Sequence, residues 1–308
     1  MDTVAERYLQ AARRESTERR YQQALAHYEV GWGGFLPASS DSIVRYLAEH
    51  AELSISTLRG NLAALARWHL SHGFVDPTKA PQVRDVLRGI KALHPRQINQ
   101  AEPLQLRELE QCVSALRLEE ASPNLAVRLR AGRDRALLLL GFWRAFRSDD
   151  LCRLRIESNQ LVSGEGLTLF LPSSKSDRDY QGRTLSVPAL KRLCPVQAYE
   201  DWLTLSRLKA GPVFCSLDRW GHMAPNALHP YSVSRVLRRA LIRGGVEGER
   251  YSGHSLRRGF ATWATRNQWS SKALMDYVGW RDVRTAMRYV DAGEAFGEWR
   301  RDAPGESK

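Results

Sequence analysis

The 308-residue sequence predicts a mainly α-helical protein with a small antiparallel β-sheet, divided into two domains. Three observations lead there. Apolar residues recur at steps of three and four through most of the chain, the spacing that gathers them on one helix face. The step falls to two only in GLTLFLPSSKSDRDYQGRTLSVP (166–188), where alternation marks strands. A polar stretch with two prolines, HPRQINQAEPL (94–104), interrupts the periodicity and reads as an interdomain linker.

Residues 1–93 are expected to form the first, helical domain. Within it SISTLRGNLAALARWHLSHG (54–73) carries Ile55, Leu58, Leu62 and Leu65 as one stripe. Arg59, Asn61 and Arg67 lie off that stripe, and Gly73 closes the helix. QVRDVLRGIKAL (82–93) is a second amphipathic helix whose basic outer face includes Arg88 and Lys91.

The second domain is expected over 105–292. A helix at 105–118 opens it, and RDRALLLLGFWRAF (133–146), apolar nearly all round, predicts a helix buried in a core. The runs 167–171 and 183–187 flank a polar loop and predict a hairpin. From 195 the pattern is helical again, with glycine-rich breaks near 211–221 and 244–248. Residues 293–308 form a tail.

Composition narrows the function. Lys and Arg number 46 against 34 Asp and Glu, a net charge of +12 with an isoelectric point near 9.9. That excess points to a polyanionic partner, of which nucleic acid is the commonest. No apolar run approaches the roughly 18–20 residues that span a bilayer. LLLLGFW (137–143) is too short, and the acidic, amphipathic start MDTVAERYLQ carries no signal-peptide pattern, so a cytoplasmic location is expected. Cys112, Cys152, Cys194 and Cys215 are scattered without ligand spacing, so neither a structural metal nor a disulfide framework is expected.

The chemistry concentrates in GHSLRRGF (253–260). On a helix Leu256, Phe260 and Trp263 form the buried stripe, while His254, Arg257, Arg258 and Ala261 fall on the opposite flank. Guanidinium forks match phosphate oxygens, and an imidazole moves protons near neutral pH. A phosphate site and a solvated basic face both fit this segment. AFRSDDL (145–151) sets Arg147 directly after the buried helix, with Asp150 one turn later as a partner, or as half of a structural salt bridge. SKSD places Lys175 in the hairpin loop, and TAMRYVD places Tyr289 nine residues after the Trp280 of VGWRD.

Taken in order, AFRxxDL, SKSD, GHSLR, VGW and RY resemble the signature of the tyrosine recombinases, the integrase-like enzymes that break and rejoin DNA. The match covers roughly 105–291, and TLRGNLAALARWHLSHGFVDPT more weakly resembles the family's SAM-like core-binding domain. The resemblance implies a two-domain clamp on duplex DNA and a metal-free, cofactor-free reaction through a 3′-phosphotyrosine. It implies Tyr289 as nucleophile, Arg147 and Arg257 on the phosphate, Lys175 as acid, and His254 and Trp280 in support. Asp150 would buttress them, although the family more often has glutamate there, and Trp280 stands where many relatives have histidine. Arg258, Arg59, Arg67, Arg88 and Lys91 become candidate DNA contacts. A homotetramer on two DNA sites is implied, with accessory or directionality proteins as further partners and the tail docking onto a neighbour or folding back. A type IB topoisomerase-like enzyme and a non-catalytic DNA-binding protein are the rival readings.

Overall fold

The computed structural model describes residues 7–8, 15–95, 100–172 and 181–290. The chain separates into two compact units, Met1–Asn99 and Gln100–Lys308. The described part is mainly helical with small antiparallel sheets, as the periodicity predicts.

In the first unit α1 (Glu15–Ala26) runs into a π-helical turn at His27–Gly31 and is followed by α2 (Ser40–Glu49), α3 (Ile55–Ser71) and α4 (Pro81–Leu93). Serine caps open two of these helices: Ser39 accepts from the Ser42 amide at 3.1 Å, and Ser54 from the Thr57 amide at 3.0 Å. The core joins Tyr28, Ile43, Tyr46 and Leu47 to Leu58, Leu62, Leu65, Val83 and Ile90, with Ile55 packed at its margin. The buried Tyr46 hydroxyl accepts from Asn61 Nδ2 at 2.8 Å, so this polar atom enters the core already paired. Arg59, Arg67, Arg88 and Lys91 stay on the outside, and Arg88 pairs with Asp85 on its own helix.

The second unit is built on α6 (Leu125–Trp143), which packs against α5 (Leu106–Glu120) and α8 (Pro195–Ser206). α6 is longer than the 133–146 expectation, starting at an Asn124 cap that accepts from the Ala126 amide at 2.9 Å. It also stops three residues earlier. Its charged Arg133-Asp134-Arg135 triplet lies inside the core, because each charge has a partner. Arg133 pairs with Asp134 at 2.6 Å, and Arg135 spans Glu120 at 2.6 Å and Asp201 at 2.7 Å.

Short α7 (Ser148–Cys152) leads to β1 (Gln160–Val162), β2 (Gly166–Leu171) and β3 (Arg183–Pro188), an antiparallel sheet in the order β1-β2-β3. The register Leu167↔Val187 and Leu169↔Leu185 puts these four side chains together on the core face. β1 is absent from the sequence prediction. So is a second sheet of β4 (Cys215–Leu217) and β5 (Met223–Ala227), which begins inside the glycine-rich break read near 211–221 and ends just past it. Three- and five-residue strands offer too few alternations to register as a period. The unit closes with α9 (Pro230–Arg243), α10 (Gly253–Arg266), α11 (Ser271–Val278) and α12 (Val283–Val290).

Of the stretch read as linker, residues 102–104 are bonded to the second unit. The Glu102 amide donates to the Arg250 carbonyl and the Leu104 amide to the Ser255 carbonyl, each at 3.0 Å. Among the described residues no helix is long and apolar enough to cross a membrane, and no group of three His, Cys, Asp or Glu could hold a metal ion. The four cysteines carry free thiols, and burial pushes Cys112 and Cys152 up to about 12.

Candidate active site

The end of α6 sets the first catalytic candidate. Ala145 takes a left-handed conformation (φ 51°), rare for a residue with a Cβ. The Ala145 amide still reaches the Phe142 carbonyl at 2.9 Å, and the Phe146 amide reaches Gly141 at 3.1 Å, so the helix closes tightly. The chain then turns, and Arg147 becomes the residue that opens α7. Its backbone amide donates to Asp150 Oδ2 at 3.2 Å, while its guanidinium stands 3.7 Å from the same oxygen. Asp150 therefore holds Arg147 mainly by its backbone, leaving the side-chain pair too long for a hydrogen bond.

Asp150 is buried, and its Oδ1 has no hydrogen-bond partner among the described residues. Burial raises its carboxyl above the ordinary value, against the opposing pull of Arg147, the Arg147 amide and Arg257.

α10 supplies the second element. Gly253 sits so close to α7 that an added Cβ would lie 2.1 Å from Ser148 Oγ; this contact brings the GHSLRR segment against the Arg147 turn. The expected stripe is present, with Leu256 and Phe260 buried and Trp263 packed at the core edge. The opposite flank, however, is not a surface throughout. His254 is exposed, but Ala261 is buried and Arg257 is only 5% exposed. Arg257 Nη1 donates to the Ala145 carbonyl at 2.7 Å and Nη2 to the Val278 carbonyl at 3.2 Å. Its guanidinium carbon lies 5.4 Å from the Trp280 ring centroid, within cation–π range. Helical geometry alone treats Arg257 and Arg258 alike; burial separates them, Arg257 being the more enclosed.

One cleft is lined by Arg144, Arg147, Asp150, Arg183, Arg257 and Tyr277, with Phe146, Leu171, Leu185 and Val278 as its apolar walls. Four arginines and one carboxylate line it, a composition suited to an anion carrying more than one oxygen. Arg258 and His254 are not among the lining residues. Arg144 and Arg183 are absent from the sequence-based set. Arg144 stacks on Tyr277 at 3.9 Å and donates to its carbonyl at 3.2 Å. Arg183 donates to the Asp276 carbonyl at 2.6 Å. Burial, then the neighbouring Arg144, lowers the Arg183 pKa, against the pull of Asp150 and Asp276.

α11 ends at Gly279 (φ 75°), where Gly279 and Trp280 amides both reach the Met275 carbonyl, at 2.8 and 2.9 Å. This turn delivers Trp280 toward Arg257. α12, which contains position 289, packs against α10 and α11. Lys175 and the tail with Phe296 and Trp299 lie outside the described residues, as does the side chain of Tyr289.

Comparison with known proteins agrees with this architecture. The sequence profile of the phage integrase family matches residues 115–295. An integrase/recombinase XerD homolog of Selenomonas ruminantium is 26% identical over 308 residues, covering 94% of this chain and 88% of its own. The recombinase Cre of Escherichia phage P1 is 23% identical over 275 residues, 83% of this chain and 77% of the relative. Among solved structures, the XerH site-specific recombinase in a post-cleavage complex with its palindromic difH substrate superposes with a TM-score of 0.63. That alignment is at 19% identity and covers 90% of this chain and 76% of that one.

Proposed function

Since the chain belongs to the phage integrase family and is a site-specific DNA recombinase of the tyrosine type, we propose that its cleft is the phosphodiester-cleaving centre and that Tyr289 is the nucleophile. The observation that carries this reading is the convergence of Arg147 and Arg257, 110 positions apart, on a single cleft beside the helices that lead to Tyr289.

In this reading the Tyr289 oxygen attacks the scissile phosphorus and the bond to the 5′-oxygen breaks. The products are a 3′-phosphotyrosyl protein and a free 5′-hydroxyl. Arg147 and Arg257 bind the non-bridging oxygens, where charge grows in the transition state. Arg257, fixed by two carbonyls, serves as a preorganised donor; Arg147, half-buried and held by its backbone, reaches toward solvent. Lys175 protonates the leaving oxygen, His254 assists proton transfer, and Trp280 donates to the phosphate. The covalent link keeps the energy of the phosphodiester, so the reverse step rejoins DNA without ATP or a metal. Asp150 offsets part of the positive charge and orients Arg147.

The two units would close around duplex DNA, with Arg59, Arg67, Arg88, Lys91 and Arg258 meeting the phosphate backbone. Exchange of both strands between two duplexes takes four cuts. With one nucleophilic tyrosine per chain, four copies on two sites meet that stoichiometry. Integration, excision and resolution of mobile DNA all use this chemistry, with accessory proteins setting direction.

The test is incubation with a library of random-sequence duplexes, denaturation, and sequencing of DNA that stays attached to protein. Recovery of one sequence family supports a site-specific recombinase. Sequence-independent attachment with supercoil relaxation would favour a topoisomerase, and no attachment would favour a non-catalytic DNA-binding protein.

A further inference from the structure

The last three carbonyls of α11 each receive a different arginine. Asp276 O accepts from Arg183 at 2.6 Å, Tyr277 O from Arg144 at 3.2 Å, and Val278 O from Arg257 at 3.2 Å. Helix C-termini leave such carbonyls unpaired and carry partial negative charge, so three guanidiniums there neutralise both deficits. The arginines come from three separate elements: the start of β3, the end of α6 and the middle of α10. Arg183 also fills the space over Gly279, where an added Cβ would lie 2.3 Å from its Nη1.

We propose that Arg183 is a positioning residue for strand cleavage, holding the 276–280 turn so that Trp280 and the helix carrying Tyr289 stand in register with Arg257. β3 is the fixed end of this link, since six residue pairs join it to β2. The α11 turn is the end that Arg183 restrains. The inference rests on Tyr289 as nucleophile and on Arg257 as phosphate ligand, and it adds a residue outside the recombinase signature.

The experiment uses the full chain and a nicked duplex of the sequence recovered from the random library, which traps the cleaved product. Wild type must form an adduct and Tyr289→Phe must not; failure there removes the functional reading before Arg183 is questioned. Arg183→Met keeps the stem and removes the donors. It should slow single-turnover cleavage at saturating DNA by about 10- to 100-fold, the effect of displacing reacting groups by about an ångström. DNA affinity should fall much less than the rate. Arg183→Lys, which still places a cation on the carbonyl, should recover most of the rate.

A second substrate, with sulfur in place of the bridging 5′-oxygen, separates the two sides of the reaction because a thiolate leaves without a proton. The Arg183→Met defect should persist on it. Full rescue by sulfur would place Arg183 on the leaving-group side and overturn the proposal, as would unchanged cleavage, or a loss confined to DNA affinity or thermal stability.

Discussion

Arg257→Ala is the perturbation whose size follows most directly from the structure. The side chain is 5% exposed and satisfies two carbonyls, Ala145 at 2.7 Å and Val278 at 3.2 Å. Leaving a buried acceptor unpaired costs about 1–3 kcal/mol each, so the variant should lose roughly 2–6 kcal/mol of stability. For a unit of this size that lowers Tm by roughly 5–20 °C. Chemistry should suffer separately: removing an arginine that stabilises a transferring phosphoryl group lowers the rate by about 10³- to 10⁵-fold. Thermal melts report the first effect. Adduct formation on denaturing gels, run well below the variant's Tm, reports the second. Arg258 lies outside the cleft lining, so Arg258→Ala should weaken DNA binding while cleaving near the wild-type rate at saturating DNA. Cleavage by Arg257→Ala within about tenfold of wild type, or equal chemical loss in both variants, would refute the assignment.

Arg147→Ala should separate chemistry from folding. Its guanidinium stands 3.7 Å from Asp150 and is part-exposed, but Asp150 is buried, so stability should fall by about 1–3 kcal/mol as that carboxylate loses its counter-charge, while adduct formation is lost outright. Asp150→Asn tests the buried carboxylate by pH. Its folded-state pKa is raised, chiefly by burial, so the folded state binds this proton more readily than the unfolded chain. Relative to Asp150→Asn, wild type should therefore gain stability as pH falls from above the raised value toward the ordinary 3.8, and level off below it. Denaturant melts across this window check it, and a relative loss toward acid would contradict it. Single alanine substitutions at Arg59, Arg67, Arg88 and Lys91, all exposed, should each lower the slope of log affinity against log salt by about 0.9 if the side chain meets a phosphate. An unchanged slope removes that residue from the interface.

The helices were legible because their stripes are long. Leu58, Leu62 and Leu65 are buried as their spacing requires, and the 167–171 and 183–187 alternation forms a paired hairpin. Arg257 shows where local periodicity stops: its helical angle places it opposite the core stripe, yet α11 arrives from 21 residues later to bury it. Arg183 carried a readable signal. It shares strand parity with Leu185 and Val187, both core-facing, and although Arg183 itself stays exposed at the strand end, its guanidinium turns to the Asp276 carbonyl. Arg144 is likewise in helical phase with Leu137, Leu140 and Gly141. The turn at Ala145 had no such signal, because a left-handed alanine is dictated by packing around it and not by its own preference.

Mapping the protein–DNA bond decides the matter most directly. Trapped adduct, digested with protease and nuclease, should yield a peptide modified at Tyr289 through a 3′-phosphate. The released strand should carry a 5′-hydroxyl that accepts label from polynucleotide kinase without prior dephosphorylation, and a chelator should not prevent the reaction. Attachment at another residue, a 5′-linked adduct, or adduct persisting in Tyr289→Phe would contradict the phosphotyrosyl chemistry assigned to this cleft.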